Sequence, residues 1–296
     1  MVFRERTLGE FGDIGNFGIG LWRMTTPFLD EAHKYIESSL DAGIRLIDNA
    51  DIYTSKWGGL GRGSCEEMLG KVFAADKTLR QRCVLATKGG IIPGVPYDQS
   101  SAVLRKSCED SLRRMGVDRI DLYFIHRPDL FAHPAEVAEV LTELRNEGKI
   151  AEVGVSNFTV AQYEALASFL PFKIAATQPE YSVANLGPLR DGTFDSCMRD
   201  SVIPFAWSPL AGGRLLSGES MRPELITTLD EIADRHSTTR EAICYAFILS
   251  HPSRPIILLG SQRPDRIASA VNNSLKGLPK DDLYKIIVAS EGIELP

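Results

Sequence analysis

No apolar run in the chain reaches the 18 or so residues of a membrane-spanning helix, and the first nine residues, Met-Val-Phe-Arg-Glu-Arg-Thr-Leu-Gly, contain no leader-like apolar core. Positive charge is not in excess. Thirty-three Lys and Arg against 39 Asp and Glu give a formal net charge of -6, which offers no electrostatic footprint for nucleic acid or an anionic membrane. Cysteine is sparse and unpatterned: Cys65, Cys83, Cys108, Cys197 and Cys244 are odd in number and form no Cys-x-x-Cys. These features predict free thiols in a reducing cytoplasm. Only five histidines occur, and His126 with His133 lacks the carboxylates that would make a zinc site, so no metal is expected. Two nucleotide signatures are also missing. Gly18-Ile-Gly20-Leu-Trp-Arg23 lacks the third glycine of a dinucleotide fingerprint. Gly59-Leu-Gly61-Arg-Gly63-Ser64 follows Trp57 instead of a strand and lacks the Gly-Lys-Ser/Thr ending of a phosphate loop.

What is present is an ordinary globular composition, 44% apolar over 296 residues, with no Pro-, Gly- or Ser-rich linker. A single domain over residues 1–296 is expected. Eight short aliphatic or β-branched runs recur: Ile14–Gly20, Ile44–Asp48, Val84–Lys88, Ile120–His126, Ala151–Ser156, Ile174–Gln178, Val202–Trp207 and Ile256–Gly260. They read as near-continuous apolar strings, as strands covered on both faces do. Helical patterns lie between them. Val137, Val140, Leu141 and Leu144 mark one apolar face, with Pro134 near its start and Gly148 past its end. Tyr35, Ile36 and Leu40 mark another, stopped by Gly43; Ser100 or Ser101 opens a third that carries Leu104, Cys108, Leu112 and Met115 before Gly116. Two helices, Pro223–Arg235 and Thr239–Ser250, fill the seventh connection, and Asp281–Ser290 closes the chain. Strand and helix alternating eight times predict an α/β fold, a parallel (β/α)8 TIM barrel with extra helices between β7 and β8 and near the C-terminus.

In such barrels chemistry sits where the strands end. The ends here read Asp48, Lys88, His126, Ser156-Asn157, Gln178, Trp207-Ser208 and Gly260-Ser261, with Tyr53 a few residues past the second strand. A free phenol has a pKa of about 10, and a nearby ammonium is expected to lower it toward a usable general acid. Asp48 compensates Lys88, and His126 orients a carbonyl oxygen. That set suits protonation of a developing alkoxide while hydride, which no side chain supplies, arrives from a cofactor. Asp51 is read as a solvated or loop-capping carboxylate. Residues 54–64 are read as a substrate-side loop, and Trp22, Trp57, Phe131 and Phe158 as walls of an aromatic substrate pocket completed by His126.

Asp48-x-Ala-x-x-Tyr53, Thr87-Lys88, Asp121-Leu-Tyr-Phe-Ile-His126, Gly148-Lys-Ile-Ala-Glu-Val-Gly-Val-Ser156-Asn157-Phe158 and Trp207-Ser208-Pro209-Leu210 together resemble the aldo-keto reductase family. The resemblance runs from Thr7 to the region of Arg266. It implies a (β/α)8 barrel that binds NADPH in extended form without a Rossmann domain, reduces a small carbonyl compound, and acts as a monomer or small homo-oligomer. By position it makes Tyr53 the proton donor, in a tetrad with Asp48, Lys88 and His126. Ser156, Asn157 and Gln178 would hold the nicotinamide carboxamide, with Trp207 stacked on the ring and Gly20, Leu21, Trp22 and Asp48 alongside. Ser208, Pro209, Leu210, Gly212 and Arg214 would line the pyrophosphate. Gly260, Ser261, Gln262, Arg263 and Arg266 resemble an adenosine-phosphate site, which favours NADPH over NADH. The sequence departs from the family where Ser269 and Ala270 replace a Glu-Asn pair and Gly260 replaces a lysine seen in some members. Two other readings remain open: a nicotinamide-binding sensor subunit with little turnover, and a lyase forming a Schiff base on Lys88.

Overall fold

A computed structural model describes residues 7–54 and 58–295. Eight parallel strands close into a barrel in sequence order. They are β1 (Phe17–Gly20), β2 (Leu46–Asp48), β3 (Val84–Gly89), β4 (Ile120–Ile125), β5 (Ile150–Ser156), β6 (Ala176–Gln178), β7 (Ile203–Ala206) and β8 (Ile256–Leu259). Each of the eight apolar runs therefore holds a strand. The first is shorter than its run because Gly15 turns the chain at φ +83, with its N–H held by Asp13 Oδ1 at 2.9 Å. Ile14 is thereby released from the strand and, with Leu8, packs into the apolar cluster inside the barrel.

Side chains alternate across each strand, so one set faces the barrel axis and the other the helices. The outward set, Ile19, Ile47, Leu85, Tyr123, Ile125, Val153, Val155, Ile257 and Leu259, packs into the larger core with residues such as Leu40, Leu69, Leu104 and Leu141 of the helices. The inward set, Leu46, Val84, Ala86, Leu122, Phe124, Ala176, Ile203, Phe205, Ile256 and Leu258, forms a separate apolar cluster. Room for Phe124 comes from Gly154 on the neighbouring strand, where an added Cβ would sit 2.4 Å from the ring. Two residues beyond Leu46, Ala86, Phe124, Gly154, Ala176 and Phe205, the inward parity falls on Asp48, Lys88, His126, Ser156, Gln178 and Trp207. The strands fill the barrel with hydrocarbon and cap it with one polar layer.

The helices obey their local signals. Pro134 opens Pro134–Asn146, where His133 accepts the Ala135 N–H at 3.2 Å through Nδ1, so this histidine is a helix cap. The extra helices of the seventh connection are Pro223–Arg235 and Arg240–Leu249, the second capped by Thr239. Lys280–Glu291 ends the described chain's helices. Among the described residues no helix is long and apolar enough to cross a membrane, and no three His, Cys, Asp or Glu side chains converge on a metal position. All five cysteines are buried free thiols.

Candidate active site

Lys88 anchors the polar layer. It is fully buried, and its Nζ donates to Asp48 Oδ1 and Oδ2 at 2.7 Å each, to the Asn49 carbonyl at 2.8 Å and to the Tyr53 hydroxyl at 2.7 Å. A buried ammonium survives only with a paired charge and satisfied donors, and Asp48 supplies the charge. The Asp48 carboxylate also accepts the Tyr53 hydroxyl at 3.0 Å and the Gln178 Nε2 at 3.0 Å, so β2, β3 and β6 meet at one carboxylate. Tyr53 reaches this point because the chain leaving β2 turns back: Tyr53 N–H bonds Ala50 O at 3.2 Å, and Asp51 N–H bonds Lys88 O at 3.2 Å. A lysine poised to form a Schiff base needs a neutral, unengaged amine. Here Nζ is engaged on every side, which argues against the lyase reading.

His126 faces the phenol edge-on, with ring centroids 5.8 Å apart and an interplanar angle of 77°. Burial, then the charges of Lys88 and Arg127, drive His126 well below its usual range, so the imidazole is neutral. The phenol goes opposite to the sequence-based expectation. Burial, then the Asp48 charge and its hydrogen bond, hold Tyr53 well above 10. The adjacent ammonium does not outweigh them, because Lys88 is already neutralised by Asp48 and is itself lowered by burial. Tyr53 is accordingly a neutral, proton-bearing phenol.

At the tips of β5, β6 and β7 a second network fixes a flat wall. Trp207 Nε1 donates to Asn157 Oδ1 at 3.0 Å, and Asn157 Nδ2 donates to Ser156 Oγ at 2.7 Å. Ser156 Oγ and the Asn157 backbone N–H both donate to the Gln178 carbonyl at 3.1 Å. Asn157 takes φ +58, a left-handed conformation that asparagine tolerates better than most residues. Each amide atom of Asn157 keeps one further hydrogen-bonding position.

These groups surround a cavity of about 190 Å³, lined by Gly20, Trp22, Asp48, Tyr53, His126, Arg127, Ser156, Asn157, Gln178, Trp207, Ser208 and Leu258. A second cavity of about 420 Å³ shares Trp22, Ser208 and Leu258 with it and continues along Pro209, Leu210, Gly212, Gly260, Ser261, Gln262, Arg263 and Arg266 to the start of helix Pro264–Asn272. Together they make one elongated cleft with a reactive end and a cationic end.

Comparison with known proteins shows the family of this barrel. The Aldo/keto reductase family profile matches residues 16–289. The chain belongs to the aldo/keto reductase family. The reductase is 42% identical over 298 residues to a 6-dehydroglucose reductase of Novosphingobium aromaticivorans, covering 97% of each chain. It is 32% identical to the oxidoreductase YdhF of Escherichia coli over the full length of both. Its fold matches an aldo/keto reductase from Klebsiella pneumoniae with a TM-score of 0.78 at 23% identity, covering 96% of this chain and 94% of that one.

Not every residue singled out from sequence reaches the reductase's cleft. Leu21 is fully buried in the apolar core, beside the β1 tip but facing away. Arg214 turns back, with Nε donating to the Ala211 carbonyl at 3.0 Å. Phe131 is 99% exposed and Phe158 lines a separate small hollow with Val160 and Cys197, so neither walls the cavity. The reason is reach: both follow a strand tip by enough residues for the loop to carry them outward. Trp57 lies outside the described residues. Arg23 and Arg127 were given no site role from the sequence, although each directly follows a residue that was singled out, and each lines the cleft.

Asp51 is neither solvated nor a simple cap. It is buried, with Oδ2 ion-paired to Arg62 and Oδ1 unpartnered, while its backbone carbonyl holds the Gly63 N–H at 2.7 Å. Behind it Glu66, also buried, accepts from Thr87 Oγ1 at 2.6 Å and Arg114 Nε at 2.7 Å. This lattice fastens the described part of the 54–64 loop to the back of β3. Burial, opposed by Arg62, pushes Asp51 up from 3.8 to about 6. A raised carboxylate favours the folded chain when protonated; that advantage is complete below about 3.8 and is lost as pH rises through about 6. Asp51→Asn, which cannot ionise, should therefore lose less stability than the wild type between pH 4 and 7, the difference reaching about 3 kcal/mol. Urea unfolding at a series of pH values reads it. Parallel curves for the two proteins would show that Asp51 does not titrate there.

Proposed function

We propose that the chain is an NADPH-dependent reductase in which Tyr53 protonates the carbonyl oxygen of a small aldehyde or ketone. The observation that carries this reading is the Lys88 ammonium placed at once against the Asp48 carboxylate and, at 2.7 Å, the Tyr53 hydroxyl at the wall of the cavity.

The cleft suits an anionic dinucleotide. Its far cavity brings Arg23, Arg263 and Arg266 to the N-terminus of a nine-residue helix, a combination that attracts phosphate. A Cβ at Gly260 would come within 2.8 Å of Trp22 Nε1, so Trp22 occupies the space a longer residue would need there. Trp207, its plane fixed through Nε1, would offer a face to the nicotinamide, and Ser156, Asn157 and Gln178 would hold its carboxamide. When bound, NADPH supplies the hydride.

The protein's own residues do the rest. His126, neutral, holds the carbonyl oxygen through a ring N–H. Tyr53 gives its hydroxyl proton to that oxygen as negative charge builds on it. The tyrosinate left behind is stabilised by the Lys88 ammonium, whose partner Asp48 keeps the assembly neutral before the transfer. The family relative named for 6-dehydroglucose supports a polyhydroxylated aldehyde as substrate. The test is consumption of NADPH and NADH against a panel of carbonyl compounds that includes 6-dehydroglucose. Turnover with NADPH preferred supports the reading; tight NADPH binding with no turnover across the panel would favour a sensor role instead.

A further inference from the structure

We propose that Arg127 is a specificity-determining residue whose guanidinium grips an oxygen substituent beside the reacting carbonyl, so that the cavity selects hydroxylated or carboxylated aldehydes over plain alkyl ones. The inference rests on the reduction proposed above and extends it to a residue with no assigned role.

Arg127 lines the catalytic cavity next to His126, and its guanidinium carbon stands 5.8 Å from the centroid of the Trp207 ring on the far side. Among the described residues it makes no ion pair and no side-chain hydrogen bond. The nearby acid that could have quenched it is committed elsewhere: Asp129 accepts the Gln99 N–H at 3.2 Å and the Phe131 N–H at 3.0 Å. The Arg127 main chain is pinned in turn, because Gln99 Nε2 donates to its carbonyl. Most other arginines of the chain are tied to carboxylates, including Arg62, Arg80, Arg114 and Arg240. A partly buried guanidinium with five donors and no acceptor is poised for a ligand that brings acceptors.

The remaining charges of the cavity cancel. Lys88 and Asp48 pair with each other, which leaves Arg127 as the cation a substrate meets. Its field is felt at both reacting groups, lowering His126 and opposing the rise of Tyr53. An oxygen substituent bound there would lie along the cavity wall between His126 and Trp207, leaving the carbonyl oxygen to Tyr53. An alkyl aldehyde gains nothing from the contact.

The test compares wild type with Arg127→Met and Arg127→Lys on glyceraldehyde, succinate semialdehyde and butanal. For Arg127→Met the KM should rise roughly tenfold or more for the two oxygenated aldehydes relative to butanal, a loss typical of one charge-assisted contact, over and above any change common to all three that follows from the altered field at His126 and Tyr53. A larger loss for succinate semialdehyde identifies charge as the recognised feature; equal losses identify hydrogen bonding. Arg127→Lys should restore the anionic substrate more than the neutral one. A second readout does not depend on turnover. Quenching of tryptophan fluorescence by glycerate, titrated into NADP-loaded protein, should weaken to the same extent in Arg127→Met. Failure of every aldehyde to turn over would refute the reductase reading while the glycerate titration still judges Arg127. Equal KM changes for butanal and glyceraldehyde, or glycerate binding that is absent from the wild type or unaltered in the variant, would overturn the proposal.

Discussion

Tyr53→Phe is expected to lower kcat by roughly 10²- to 10⁴-fold, the usual contribution of a positioned general acid, while NADPH affinity stays as it is. The substitution removes one oxygen and nothing else from the polar layer. Lys88 Nζ keeps both Asp48 oxygens and the Asn49 carbonyl, and the Gln178 bond to Asp48 is untouched, so the fold and the dinucleotide end of the cleft survive. Because Tyr53 lies well above 10, the wild-type rate should show no decline from phenol ionisation across neutral pH. Because His126 lies well below 6.5, no imidazole step should appear near pH 6 either. A flat kcat profile through neutrality in the wild type, together with a slow variant that still quenches with NADPH at the wild-type concentration, is the expected pair of results. Substantial turnover in Tyr53→Phe would mean that the proton comes from another group, with His126 the one remaining candidate at the cavity wall.

How much of this was legible in the sequence follows from the parity of strands. Asp48, Lys88, His126, Gln178 and Trp207 each stand two residues beyond an apolar inward residue, and Ser156 two beyond Gly154, so locating the strand also located the polar layer. Element type was equally local: Pro223 and Thr239 open helices for reasons contained in their own neighbourhoods. Distance from a strand tip is what defeated the rest. Phe131 and Phe158 sit on connections whose path depends on packing against helices, and an aromatic residue near a tip carries no mark of which way its loop will turn. Arg214 was placed by resemblance, yet its guanidinium closes a local turn. Asp51 and Tyr53 illustrate a subtler limit. Both have acid–base behaviour set by burial, and no string of residues states how deep a side chain will lie. The phenol therefore moved up where a pairwise reading of Lys88 and Tyr53 predicted down, and Asp51, taken for a solvated or loop-capping group, became a buried carboxylate paired with Arg62.

Lys88→Met should be the most damaging single change for both activity and stability, and the two losses are separable. With Nζ gone, Asp48 keeps its charge in a site with 1% exposure, left with the Tyr53 hydroxyl and the Gln178 amide as hydrogen-bond donors. Removing one partner of a buried ion pair costs about 3–5 kcal/mol, because the other charge is left without compensation. The catalytic loss has a separate origin, since no cation remains to receive the tyrosinate. Asp48→Asn in the same background removes the stranded charge while preserving shape and a hydrogen bond to Gln178. The double variant should therefore recover most of the stability lost by Lys88→Met, measured by urea unfolding, and none of its turnover. A double variant no more stable than Lys88→Met would mean that Asp48 escapes its penalty by taking up a proton, so that the pair is held by hydrogen bonding and not by charge. Recovery of stability without activity would assign Lys88 two independent duties: neutralising Asp48 within the barrel, and stabilising the anion that Tyr53 becomes at its mouth.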